Sequence, residues 1–332
     1  MTAAGIAWAI LLCRCIVVTS GASIGGPCAR CGIKHSLSTT DAAREAALDL
    51  RARMVESGRI DVDELRLRSL GNNNKNNDND KNNEDRFFPN VGDDDDLDPS
   101  LAIERLYEHR GKMFGVLVCE VPDSDSDSHR DAVILKAYAG KMGGQWNLPG
   151  WAPIVGRVPE SLPVFRRLSA EVTELFGMID ETTRVDAHPG EGGDEHAVAE
   201  KVKRLTKERA RLATLALEEV RRHQQVTNFR GETSPITAIY SRGPTKLPGG
   251  VGDCAAPKLI AEAARLGLRP TGIAEIFVGA TGGMSTTKGD GFFYDACEQR
   301  CEQIAGFMLC GLHDVEEKKL ACNNHHGRKE PR

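Results

Sequence analysis

"GVGDCAAPKLIAEAARLGLRPTGIAEIFVGA", residues 250–280, is the stretch on which the fold turns. Its first half reads as a helix. Asp253 is a candidate N-cap, Pro257 fits the first turn, where its missing N–H is no loss, and Gly267 can end the helix in a left-handed conformation. The second half, "TGIAEIFVGA", is apolar enough for a buried strand. A Gly/Ser/Thr-rich loop follows over 281–293. "DACEQRCEQIAGFML" (295–309) then reads as a second helix, with Asp295 as its cap. Helix, strand and helix in succession indicate an α/β class.

The preceding segments supply the rest of a sheet. "KMFGVLVCEV" (112–121) is a nearly continuous apolar run rich in Val, and "AVILKAYAG" (132–140) is a second strand. The polar turn between them implies an antiparallel hairpin. "LAIERLYEHR" (101–110) reads as a short helix. The loop over 143–156 carries Trp146 and Trp151, which are expected to cap the core rather than bind a ligand. Helical spacing returns over 159–181 and 197–229, separated by the Gly-rich acidic "HPGEGGDEH" (188–196). The expected architecture is therefore an α/β sheet with flanking helices and a long helical insert over 159–230.

The chain has 332 residues, 40% of them hydrophobic, and a net charge of -5. That balance gives no global footprint for nucleic acid or a membrane surface. A local basic patch does exist. Lys201, Lys203, Arg204, Lys207, Arg209, Arg211, Arg221 and Arg222 crowd the second insert helix, interleaved with Glu200, Glu208, Glu218 and Glu219. The plain reading is a solvated helix face laced by ion pairs. The alternative is a contact with RNA phosphates.

"IAWAILLCRCIVV" near the N-terminus has the length of a signal-peptide core, and Ser20-Gly21-Ala22 suits cleavage. Residues 1–22 are expected to be a targeting segment, and 23–70 a presequence-like second part of a two-part address. Entry to the secretory pathway or an organelle follows, with no stable membrane span after processing. Residues 71–99, rich in Asn and Asp, form an expected disordered linker. The folded part then runs over 100–312, with a polar tail at 313–332.

Ten cysteines carry the chemical signal. Cys28 and Cys31 form a lone CxxC, which needs two more ligands to hold a metal. Cys254 falls at one helix start. Cys297 and Cys301, spaced i, i+4, share a face at another. Helix N-termini favour thiolates. Two such starts flanking a strand can converge at one end of a sheet and bind Zn²⁺ through three sulfurs, leaving a position for water. Core thiols or a disulfide are the alternatives, the latter consistent with a secreted chain. Asp253 and Glu275 are the candidate acid/base groups. A closed site instead needs a fourth protein ligand, such as Cys310 or His313.

"RGKMFGVLVCEV" (110–121), "KAYAGKMGGQWNLPGWAPIV" (136–155), residues 250–280 and "GFFYDACEQRCEQIAGFML" (291–309) occur in this order. Together they resemble the N-terminal extension of long RluA-type RNA pseudouridine synthases. No HRLD-type motif of the synthase catalytic domain is present, so pseudouridine synthase activity is not expected. The same blocks look like a divergent cytidine-deaminase-like family. That resemblance implies a cytidine-deaminase-like sheet, with Cys254, Cys297 and Cys301 as zinc ligands. The chain departs from the deaminase pattern at two places. Ala256 stands where a glutamate two residues after the first ligand is expected, and the pair is CxxxC rather than PCxxC. The reading is a zinc-dependent deaminase-like protein acting on a base in RNA or a nucleotide, with Asp253 or Glu275 moving the proton. The alternative is a non-catalytic, zinc-stabilised RNA-binding or accessory module.

Overall fold

The computed structural model describes residues 23–62, 98–122, 132–186, 195–281 and 287–312. In chain order the elements begin with a hairpin, β1 (Ser23–Pro27) and β2 (Lys34–Ser38), then α1 (Asp41–Ser57) and α2 (Glu104–Glu108). β3 (Lys112–Glu120) and β4 (Val133–Tyr138) follow, then α3 (Pro163–Asp186) and α4 (Glu195–Arg222). The chain continues through β5 (Gln225–Thr227), β6 (Thr233–Pro235), α5 (Ile236–Ile239), α6 (Ala255–Leu266), β7 (Arg269–Val278) and α7 (Glu302–Met308).

The main sheet has the order β4-β3-β7 and is antiparallel throughout. β3 is central because both of its faces are apolar, as a strand covered on two sides requires. Phe114, Val116 and Val118 pack with Ala274, Ile276 and Val278 of β7 on one face. Leu117, Cys119 and Ile273 belong to the core on the other. α1 covers the first face through Ala43, Ala46, Ala47, Leu50 and Met54, all buried. Their spacing puts them on one stripe of the helix. α6 covers the second face through Ala255, Ala256, Leu259, Ile260 and Ala263. The architecture is mixed α/β, with helices on both faces of a small antiparallel sheet.

Several expectations are corrected. Residues 23–62 are not an appendage: β1, β2 and α1 form part of the core, where Ala47, Leu50 and Met54 are fully buried. An amphipathic helix resembles a transit sequence until the apolar sheet that it covers is known. Asp98 and Pro99, placed by expectation at the end of the linker, are ordered into a short 3-10 turn over Pro99–Leu101 that Asp98 caps. The last helix among the described residues is only Glu302–Met308, and Asp295 does not cap it. Instead, the Cys297 carbonyl accepts from the N–H groups of Arg300 and Cys301, making a separate turn. The long basic helix stops at Arg222, because the chain then enters the β5–β6 ladder. The insert is otherwise as expected: α3 and α4 pack together and bury Leu168, Leu212 and Ala216. Trp151 is buried beside Phe114 and Tyr138, as a core cap should be. Readings on 1–22, 63–97 and 313–332 lie outside the described residues. No helix among the described residues is long and apolar enough to cross a membrane.

Gly115 sets how closely α6 approaches the sheet. A Cβ there would lie 2.9 Å from the Ala255 Cβ and 2.9 Å from Leu259 Cδ1. Gly115 is also the register partner of Glu275. The missing side chain thus lets the start of α6 sit directly against the strand that carries this carboxylate. Gly115→Val is expected to cost about 1–3 kcal/mol through overpacking. A thermal melt should show the loss; an unchanged Tm would mean that α6 can move away without penalty.

Candidate functional site

Three segments meet at the start of α6. Cys254 occupies its N-cap position with extended backbone and makes no capping bond through its sulfur. β7 contributes Glu275 on the face turned toward α6, and Glu275 Oε1 accepts the Ala256 N–H at 3.2 Å. The third segment is drawn in by irregular pairing along the outer edge of β7. The Tyr294 N–H donates to the Glu275 carbonyl at 3.1 Å and the Phe277 N–H to the Phe292 carbonyl at 3.0 Å. The chain then turns through Cys297 into Cys301, which is buried.

The Cys254 and Cys301 thiols share a hydrogen bond. It holds the Cys254 thiol below its ordinary pKa, with further help from Arg300, and pushes the Cys301 thiol up. Burial raises the Glu275 carboxyl to about 7, opposed by the Ala256 N–H and by Lys288. Lys288 faces Glu275, Cys297 and Cys254 electrostatically and lies over the Tyr294 ring at 3.7 Å. Glu275 lines a small cleft of about 10 Å³ with Ser23, Ile24, Thr39, Ala256 and Tyr294.

The predicted site is therefore only partly assembled. Cys254, Cys301 and Glu275 come together. Cys297 is exposed and does not complete a group of three donors within 4.8 Å. Asp253, next to Cys254 in the chain, also acts on its thiol electrostatically. Burial pushes the Asp253 carboxyl up, and Lys258 and Arg300 are the charges that oppose this. Lys258 was not singled out from the sequence. It is fully buried, and its Nζ donates to the Tyr138 and Gly140 carbonyls at 2.9 Å each. Burial lowers its pKa to about 8. These bonds pin the end of β4 to α6, as does the Gly140 N–H, which donates to the Asp253 carbonyl at 2.8 Å. A lysine on an otherwise apolar helix face was the available signal.

A second cluster lies between the chain's two ends. Among the described residues, Cys28, Cys31, His35 and Cys310 form the one group of ligating side chains whose donor atoms all lie within 4.8 Å of one another. Such a group can hold a metal ion. Cys31 Sγ is 3.1 Å from His35 Nε2 and 3.9 Å from Cys310 Sγ. The Arg30 N–H donates to Cys28 Sγ at 3.4 Å. Hydrogen bonding, chiefly from the Ile33 N–H, lowers the Cys31 thiol to about 7, whereas burial raises Cys310 to about 11. The lone CxxC of the sequence thus finds its two missing partners, and Cys310, expected as a fourth ligand at the Cys254 site, lies here instead. His313, the other residue so expected, lies outside the described residues. All seven described cysteines are free thiols, so none supports the disulfide alternative.

The basic side chains Lys201, Lys203, Arg204, Lys207 and Arg211 are exposed on α4. Lys203 pairs with Glu200, Arg211 with Glu208 and Arg222 with Glu219. These ion pairs favour the solvated-face reading for that part of the helix.

Fold and side chains together define a mixed α/β protein with a cysteine–histidine group suited to a metal ion. No family model matches the chain, and comparison with curated proteins and with solved structures gave no match either.

Proposed function

We propose that this chain is a zinc-dependent, deaminase-like protein that acts on a base in RNA or a nucleotide. One observation carries the reading: the Glu275 carboxylate is held by the Ala256 N–H, beside the paired Cys254 and Cys301 thiols. The residue expected at position 256 of a deaminase is a glutamate, and here a carboxylate from the adjacent strand stands over that position. The sheet order β4-β3-β7, with α6 leading into β7, is also what the cytidine-deaminase-like resemblance implies.

Zinc at this site would need the Cys297 sulfur to join the other two. Two soft thiols meet, and Cys297 lies one turn before Cys301, where its backbone already accepts the Cys301 N–H at 3.0 Å. Zinc there would supply an activated water. Glu275 would pass one proton from the attacking water to the ring nitrogen, and a second, from the hydroxyl of the resulting adduct, to the amino group as it leaves as ammonia. Its raised pKa suits a group that must gain and lose a proton near neutrality. Lys288 steadies the charge around the carboxylate and the thiols. The exposed Lys201, Arg204 and Lys207 of α4 would offer phosphate contacts to an RNA substrate.

A second reading is favoured by the position of Cys297. With its sulfur outside the group, the chain acts as a zinc-stabilised accessory module without turnover. The two separate on zinc content and on conversion of cytidine and adenosine, free and within single-stranded RNA. The enzyme is expected to form uridine or inosine, and Cys254→Ser to lose both product and about one equivalent of zinc. Folded wild type that converts none of these substrates would leave the accessory reading standing.

A further inference from the structure

We propose that Cys28, Cys31, His35 and Cys310 form a closed tetrahedral zinc centre that fastens the N-terminal hairpin to the C-terminal helix. This centre is separate from the Cys254 site and does not depend on it.

The donor chemistry points to zinc. Three sulfurs and one imidazole nitrogen are a common structural zinc set, and soft thiolates disfavour magnesium and calcium. Sulfurs about 2.3 Å from a tetrahedral zinc lie about 3.8 Å from each other. The Cys31 and Cys310 sulfurs are 3.9 Å apart and unbonded. The local backbone is built to present two of the ligands. The Cys28 N–H donates to the Ile33 carbonyl and the Gly32 N–H to the Cys28 carbonyl, both at 2.9 Å. Gly32 takes a left-handed φ of 73°, which lets the chain turn between Cys31 and β2. His35 then points back from β2 toward Cys31.

The fourth ligand arrives through a direct backbone contact. A Cβ on Gly306 would come within 2.5 Å of the Pro27 carbonyl oxygen, and one on Gly26 would collide with the Glu302 carbonyl. Glycine at both positions lets α7 lie flat on β1. Cys310 follows Gly306 by four residues and so lies on the same side, over the hairpin. Cys28 and Cys310 are buried, and four protein donors leave no position for water or substrate. The centre is therefore structural, and its loss frees α7, which also carries Cys301 to the other site.

The test uses the full chain purified with zinc and, separately, with cobalt. Metal is counted by mass spectrometry, and free thiols are counted after denaturation. Wild type is expected to retain zinc at this centre, and Cys310→Ser to lose about one equivalent that Cys254→Ser keeps. Cobalt-loaded Cys254→Ser should retain the thiolate charge-transfer and tetrahedral ligand-field bands. His35→Cys should keep the metal and shift those bands, which holds the inference testable even where Cys310→Ser fails to fold. Folded wild type that carries no metal, or a Cys28–Cys31 disulfide in the thiol count, would overturn the centre. So would unchanged bands in His35→Cys. Absence of deamination alone touches only the function proposed above.

Discussion

Leu50→Asp is expected to abolish cooperative folding. Leu50 is fully buried in α1, where it packs into the core formed with Phe114, Val116, Ile276 and Val278. An unpaired carboxylate there lacks any compensating partner, and the lost apolar contact adds to the cost. Together these amount to at least about 4–5 kcal/mol, comparable with the whole stability of many domains. Circular dichroism should show no sharp thermal transition. Leu48→Asp is the control: that residue is 40% exposed on the same helix and should change stability by no more than about 0.5 kcal/mol. A cooperative melt in Leu50→Asp at the wild-type temperature would mean that α1 is dispensable, as a presequence would be. The point variant leaves Cys28, Cys31 and His35 in place, so its outcome does not depend on metal.

Glu275→Gln is expected to lower deamination by about 10²–10⁴-fold, the usual worth of a positioned acid/base group. The same variant should gain stability at alkaline pH. The folded carboxyl is raised to about 7 by burial, above its ordinary value of 4.5. Its contribution is thus fully present below the unfolded pKa and is lost as pH rises through about 7. At pH 8 the wild type holds a carboxylate where burial disfavours it, and glutamine removes that cost. The full shift corresponds to about 3 kcal/mol, and the half-buried position of Glu275 reduces this to roughly 1–3 kcal/mol. Near pH 4 the two proteins should melt alike. Asp253→Asn should affect turnover less, because Asp253 faces Lys258 and Arg300. Unchanged turnover in Glu275→Gln would remove Glu275 from the chemistry, whatever its effect on the melt.

The groups of the proposed site can be read from the sequence one at a time. Glu275 is conspicuous as a carboxylate within an apolar strand, and Cys254 as a thiol at a helix start. Local patterning suffices for both. Their approach to each other depends on Gly115, whose missing side chain lets α6 close on β3. The turn from Cys297 to Cys301 reads as helix by spacing, yet the chain does not become regular until Glu302.

The sequence by itself determined the α/β class, the β3–β4 hairpin, the insert, and the helix ended by Gly267, whose φ is 67°. Period and turn residues act over a few positions, so they are visible in one dimension, whereas the expected caps Asp253 and Asp295 give way to Cys254 and Cys301. Only the tertiary structure decided that α1 is a core layer and that Cys28, Cys31 and His35 meet Cys310. An amphipathic stripe does not name the surface that it will cover. Ligands from opposite ends of the described chain are joined by the flat contact of Gly26 with α7, which no local pattern encodes.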